Sequence, residues 1–157
     1  MEYRLHTQDL RSHIPALKAG GRVVLSGTIY TARDAAHKRF FELLDRGEDL
    51  PFPLRDAVIY YAGPTPGQQG MAVGACGPTT ASRMDAFAPR LLDLGLTAMI
   101  GKGVRSPAVV EAMVRNGACS FAAVGGAGAL IARCIDTAEV IAFEDLGCES
   151  VKRMTVT

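Results

Sequence analysis

A chain of 157 residues, 48% of them hydrophobic, can bury roughly two-thirds of its unfolded surface in one core and needs neither disulfide nor metal to fold. Seventeen basic against sixteen acidic side chains leave a formal charge of +1, which gives no electrostatic reason to expect nucleic acid or an anionic membrane as partner, so any anion recognition must be local. No apolar run approaches the length of about eighteen residues that a membrane span needs, and no basic-then-apolar leader opens the sequence, so the expectation is a soluble, cytoplasmic protein.

Glycine and proline divide the sequence into short units without internal repeats, which predicts one compact domain over residues 1–157. "GRVVLSGTIYTA" (21–32) is β-branched and bounded by glycine, and predicts one or two strands. "RDAAHKRFFELLDRG" (33–47) changes to helical period: Arg33, His37, Phe40, Phe41 and Leu44 share a face, and Gly47 ends the helix. "AVIYYAG" (57–63) reads as a buried strand and "MAVGAC" (71–76) as another short one. "SRMDAFAPRLLDLG" is helical but interrupted by Pro89, which opens a second short helix at its first turn. "TAMIG" (97–101) is a strand, and "SPAVVEAMVRNG" (106–117) a helix with Ser106 as N-cap and Pro107 in the first turn. "ACSFAAV" (118–124) is a strand, "GGAGALIARCI" (125–135) a helix started by glycine, and "AEVIAFED" (138–145) the last strand. Early strands followed by alternating strand and helix predict a layered α/β domain with a mixed sheet.

Cys76, Cys119, Cys134 and Cys148 are far apart, form no C-x-x-C pair and sit among Ala, Gly, Ile and Leu. That is the pattern of buried thiols, not of a disulfide framework or zinc site. Seventeen glycines and no tryptophan point to close backbone packing and tight turns around a small ligand.

"GPTTASRMD" (77–85) sets two threonines behind a Gly-Pro turn. If Thr79 caps a helix there, the backbone N–H groups of Thr80, Ala81 and Ser82 lie at its positive end, which favours an anion, and Arg83 projects from the same face. The plain alternative is a capped helix with a surface ion pair. In "TARDAAHKR", Arg33 and His37 fall on an otherwise apolar face, and a buried guanidinium is too costly to leave alone, so Asp34, Asp85, another carboxylate or a ligand must neutralise it. "IGKGVRSP" places Lys102 between two glycines at the C-terminal end of a strand, where open α/β sheets bind ligands.

Neither "GKG" nor "GGAGAL" has the spacing of a phosphate-binding loop or a dinucleotide-binding turn. Thr79, Arg33, Arg83 and Lys102 together suggest a site for a small dianion. No base stands beside the hydroxyl in sequence, so a Ser/Thr triad is unsupported, whereas proton transfer is not excluded. Tyr60, Tyr61 and Gln68 read as strand packing and loop solvation before site lining.

"SGTIYTARDAAHKR", "IYYAGP", "GPTTASRMD", "IGKG" and "GGAGAL", in that order over about residues 20–150, resemble the β subunit, or C-terminal domain, of class I iron–sulfur hydro-lyases: fumarate hydratase and the similar L-tartrate dehydratase. "RDAAHKR" and "YYAGP" resemble the fumarase branch. The resemblance implies a swivelling β/β/α domain that closes on a larger α subunit carrying a [4Fe–4S] cluster, whose iron acts as Lewis acid in the reversible hydration of fumarate to (S)-malate. It implies Thr79 as acid/base for the carbon-bound proton, and Arg33, Arg83 and Lys102 as groups that bind carboxylates or tune that step. On the residue pattern itself, His37, which is not among the family's catalytic residues, stands behind them with Asp34, Thr80 and Asp85.

With no clustered cysteines, this chain is expected to hold no cluster by itself. The resemblance further implies a strand segment beyond "SVKRMTVT". Three rival readings remain open: tartrate or another hydroxy-diacid as substrate, a non-catalytic assembly or anion-binding subunit, and, weakest, a stand-alone phosphate-binding domain.

Overall fold

A computed structural model of the chain describes residues 2–123 and 128–157. In chain order the regular elements are β1 (Glu2–His6), α1 (Leu10–His13), β2 (Arg22–Thr31), α2 (Asp34–Asp45), β3 (Val58–Tyr60), α3 (Ala88–Asp93), β4 (Ala98–Gly101), α4 (Pro107–Asn116), β5 (Cys119–Ala122), α5 (Gly128–Ala132), β6 (Ile135–Ala142) and β7 (Val151–Val156). Short 3₁₀ turns occupy Ile14–Ala16, Ala81–Met84 and Glu144–Glu149.

The strands form one seven-stranded mixed sheet, an α/β fold as expected, in the order β5-β4-β3-β2-β7-β6, with β1 parallel to the first half of β2. β2, β3, β4 and β5 are mutually parallel, and β7 runs antiparallel to both β2 and β6. Strand period 2 divides the side chains between two cores: Ile59 and Met99 enter one, with Phe40 of α2, Leu91 of α3 and Val109 of α4, while Val58, Tyr60 and Ala98 enter the other, with Leu10, Met154 and Ala132.

The helix signals act as their chemistry requires. Ser106 caps α4, accepting from Val109 N at 3.4 Å, and Gly117 ends it in the left-handed region at φ 63°. Pro89 lies in the first turn of α3, and Gly47 (φ 72°) follows α2.

Several expectations need correction. Residues 71–76 are not a strand. Apart from a single Pro66–Val73 bridge, they fold back on their own loop, with Gly74 N donating to Thr65 O and Ala75 N to Thr65 Oγ1. Pro64 and Pro66 have no N–H to extend a ladder there. The strand placed at 138–145 begins at Ile135 and is not the last, because "VKRMTV" forms β7 and pairs with β2 in the middle of the sheet. β1 was also not expected from the sequence. The start of the expected 125–135 helix, like the end of the 118–124 strand, lies outside the described residues. All four thiols are free, yet only Cys76 is fully buried, and Cys134 and Cys148 are exposed.

Arg11 fastens the first segment to the sheet. Its guanidinium donates to Asp56 Oδ1 at 2.7 Å, Gly95 O at 2.8 Å, Thr97 Oγ1 at 2.7 Å and Asn116 O at 3.1 Å. Arg11→Ala strands these acceptors and is expected to cost about 2 kcal/mol in urea unfolding.

Candidate active site

Three parallel neighbours, β2, β3 and β4, release the chain at the same edge of the sheet, the carboxyl end where α/β sheets bind ligands. Arg33 follows β2, Tyr61 and Gly63 follow β3, and Lys102 follows β4. A fourth segment crosses these ends. Thr79 N donates to Tyr61 O at 2.7 Å, Lys102 N to Thr79 O at 3.2 Å, and Ala81 N to Lys102 O at 2.8 Å, so residues 79–81 extend the sheet locally and Thr80 bridges to Lys102 in parallel register.

Gly101 makes this approach feasible. A Cβ there would stand 2.9 Å from the Tyr61 ring, 3.1 Å from Ala81 Cβ and 3.3 Å from Thr79 O.

The ladder corrects the expected helix at Thr79. The helical piece is a single 3₁₀ turn, Ala81–Met84, preceded by Thr80, with no side-chain cap. Ala81 N, the middle one of the three N–H groups expected to face an anion, donates to Lys102 O, so the three form no continuous row. Thr79 is half-buried, whereas Thr80, Arg83 and Lys102 are exposed.

Arg33 stands at the N-cap of α2 in extended conformation. Its Cδ and Nη1 press against Gly63, where a Cβ would come within 3.1 and 3.2 Å of them and within 3.0 Å of Cys148 O. Asp34 does not neutralise Arg33, because its Oδ2 takes Arg83 Nε at 3.1 Å. Asp85 pairs with Arg105 instead. Among the described residues, only three buried side-chain nitrogen or oxygen atoms lack a hydrogen-bond partner, and all lie in this stretch: Arg33 Nε, Asp34 Oδ1 and His37 Nε2. Native interiors rarely leave such atoms unpaired.

His37 is fully buried, with its ring among those of Phe40, Tyr61 and Phe87. Nδ1 meets Arg33 O at 2.8 Å. A carbonyl only accepts, so Nδ1 carries the proton and the unpaired Nε2 carries a lone pair. Burial pushes the imidazole down to about 4, against the smaller upward pulls of the Arg33 carbonyl and Asp34.

Sequence reasoning passed over Arg105. This guanidinium, with its side chain 5% exposed, donates from Nε to Asp85 Oδ1 at 2.8 Å and from Nη2 to Tyr61 Oη at 3.2 Å, and lies 5.1 Å from the Tyr61 ring centre. Desolvation pushes the Tyr61 phenol up to about 12, despite the opposing guanidinium. The only signal in sequence was a second cation three residues beyond Lys102.

Against known proteins, the model of the fumarase C-terminus family matches residues 1–157. This chain belongs to the fumarase C-terminus family. It is 39% identical over 151 residues to the aerobic class I fumarate hydratase of Escherichia coli K12, covering 95% of this chain and 28% of that protein. It is 37% identical over 149 residues to fumarate hydratase 2 of Leishmania major, covering 94% and 26%. A Methanocaldococcus jannaschii protein provisionally named L(+)-tartrate dehydratase subunit beta is 34% identical over 148 residues, covering 92% of this chain and 75% of that one. The chain thus spans about a quarter of the length of the fumarate hydratases it matches.

In this fumarase C-terminus chain, the strand ends gather four cations, Arg33, Arg83, Lys102 and Arg105, around two carboxylates, Asp34 and Asp85. A third carboxylate, Glu149, accepts from Ala35 N at 3.5 Å beside them. No three His, Cys, Asp or Glu side chains come together as a metal set among the described residues. The cysteines are no better placed: Cys76 is buried in one core with its thiol pushed up to about 11 by desolvation, and the exposed Cys134 and Cys148 belong to different segments. These residues do not fit an iron–sulfur cluster.

Proposed function

We propose that this chain, as one fumarase C-terminal-like domain over residues 1–157, is the β subunit of a cytoplasmic iron–sulfur hydro-lyase that hydrates fumarate reversibly to (S)-malate. In this reading the [4Fe–4S] cluster belongs to a partner α subunit, since the donors here do not fit it, and the active site is complete only when the two dock. The observation that carries the reading is the ladder of residues 79–81 on Lys102, which holds a half-buried hydroxyl and an ammonium-bearing residue in register at the strand ends, with Arg33 and Arg83 alongside.

Arg33, Arg83 and Lys102 bind the two carboxylates of the substrate, as guanidinium and ammonium groups suit. Hydration adds H and OH across the carbon–carbon double bond, and Thr79 Oγ delivers the proton to carbon, or receives it in the reverse direction. An unassisted hydroxyl is a poor base at neutral pH, so the neighbouring cations must favour its ionised form. Asp34 steadies Arg83 through their 3.1 Å contact. His37, whose Nδ1–H holds the Arg33 carbonyl, fixes the start of α2. Thr80 and Asp85 support the two segments that carry Thr79 and Lys102.

A second reading keeps this site and changes the substrate to L-tartrate. It is favoured by the similarity to the M. jannaschii protein named as a separate β subunit, most of whose length this chain matches. An added hydroxyl is discriminated by groups that pair with it, and these include partner residues. The deciding experiment is anaerobic reconstitution of this chain with its iron–sulfur partner, with fumarate and tartrate assayed in parallel. Fumarate hydration that requires this chain is the expected result. Activity on tartrate alone transfers the mechanism to that substrate, and activity independent of this chain overturns both readings.

A further inference from the structure

The buried Arg105 has no direct part in the site just described, yet it is the most fully engaged cation near it. Its side chain is 5% exposed, Nε and Nη2 are committed to Asp85 and Tyr61, and Nη1 lies 3.5 Å from Met99 Sδ. It is therefore not available to a substrate. Asp85 is equally committed, with Oδ1 on Arg105 and Oδ2 accepting from Ser106 N at 2.9 Å. Burying a guanidinium and a carboxylate is expensive, and replacing such a pair by apolar side chains often costs no stability, so stability alone is a weak account of it.

The geometry here is specific. Asp85 stands two residues after Arg83, at the end of the segment that begins at Thr79. Arg105 stands three residues after Lys102. Tyr61, which receives Arg105 through its hydroxyl and ring face, also accepts Thr79 N on its backbone carbonyl and packs its ring against Gly101. One guanidinium thus joins the far ends of the two segments whose near ends form the 79–81/102 ladder, and bears on the residue beneath both.

We propose that Arg105, seated by Asp85 and Tyr61, is a positioning residue that locks the Lys102 loop in register on the Thr79–Arg83 segment. The lock itself follows from contacts within this chain. Its effect on catalysis rests on the roles proposed above for Thr79, Arg83 and Lys102. Arginine is suited to this because a planar fork can serve a carboxylate, a phenol and a ring face together, which a lysine ammonium cannot.

The test compares wild type, Arg105→Met, Arg105→Lys and Tyr61→Phe in the complete enzyme, this chain assembled with its iron–sulfur partner. Two readouts are taken: steady-state fumarate hydration, and amide hydrogen exchange resolved to single residues. Arg105→Met is expected to raise exchange at Thr79, Ala81 and Lys102 by about tenfold or more while Ile59 and Met99 keep their protection. It is also expected to lower kcat by about tenfold to a hundredfold with a smaller change in KM, because displaced groups lose transition-state geometry first. Arg105→Lys should restore the activity and local protection only in part, and Tyr61→Phe, which keeps the ring and removes one acceptor, should have the mildest effect.

A uniform rise in exchange across the sheet, or a lowered melting temperature with kcat and local exchange unchanged, would mean that the pair serves stability alone and would overturn the proposal. If Arg105→Met does not fold, the Arg105→Lys and Tyr61→Phe enzymes decide by the same criteria. If the wild-type assembly hydrates no fumarate, the functional reading falls, and the lock still stands or falls on the exchange at Thr79, Ala81 and Lys102.

Discussion

Thr79→Ala in the assembled enzyme is expected to reduce kcat about 10²–10⁴-fold, the usual worth of a positioned acid/base group. The chain should remain folded, because the bonds that place residue 79 run from Thr79 N to Tyr61 O and from Lys102 N to Thr79 O, all backbone, and alanine keeps them. Stability is therefore expected to change by less than about 1 kcal/mol in urea unfolding. Thr79→Ser retains a hydroxyl at the same backbone position and should recover most of the rate. Incorporation of solvent deuterium at the protonated carbon of malate reports the same step directly, and it should fall with kcat in Thr79→Ala while KM stays near wild type. A full wild-type rate in Thr79→Ala would leave this chain the assembly or anion-binding role, because substrate binding by cations alone does not need the hydroxyl.

β2, β3, β4, β5, α2, α3 and α4 were legible in the sequence from local causes such as the β-branched run at 22–31, the Ser106-Pro107 start and Gly117 stop of α4, and Pro89 opening α3. β7 was not. "VKRMTV" breaks strand alternation with two adjacent cations, Lys152 and Arg153, and its place between β2 and β6 comes from pairing with β2, more than a hundred residues earlier. The same distinction holds at the strand ends. The sequence offered Thr79, Arg33, Arg83 and Lys102 as an anion site. It could not say that Asp34 would go to Arg83 and Asp85 to Arg105, because those pairings are set by how β3 and β4 diverge around residues 79–81. Local reasoning also preferred a capped helix at Thr79, where tertiary pairing with Lys102 produces a strand-like crossing and shortens the helix to a 3₁₀ turn. Arg105 went unread, and nothing in its spacing reported that Asp85 and Tyr61 would enclose it.

Acidification should weaken this protein first at His37. Burial, opposed by the Arg33 carbonyl and Asp34 and reinforced by Arg105, lowers the imidazole from 6.5 to about 4, so the folded state binds fewer protons than the unfolded state between those values. The stability due to its neutral form is complete above about pH 6.5, is lost as pH falls toward about 4, and amounts to about 3 kcal/mol. Two carboxylates act mainly below this window. Asp93, held down by Asn116 and Arg115, and Asp145, held down by Arg39, sit below the ordinary 3.8 and lose their contributions only in stronger acid. Urea unfolding from pH 7 to 4 should therefore show a falling free energy in wild type and a nearly flat one in His37→Phe, where an uncharged ring replaces imidazole beside Phe40, Tyr61 and Phe87. A slope that survives the substitution would assign the acid sensitivity elsewhere, whereas an imidazole resonance titrating near 4 in the folded wild type would place it on His37. Because Nδ1 of that ring holds the Arg33 carbonyl at the start of α2, the proton that destabilises the fold enters directly behind the cation proposed to bind substrate.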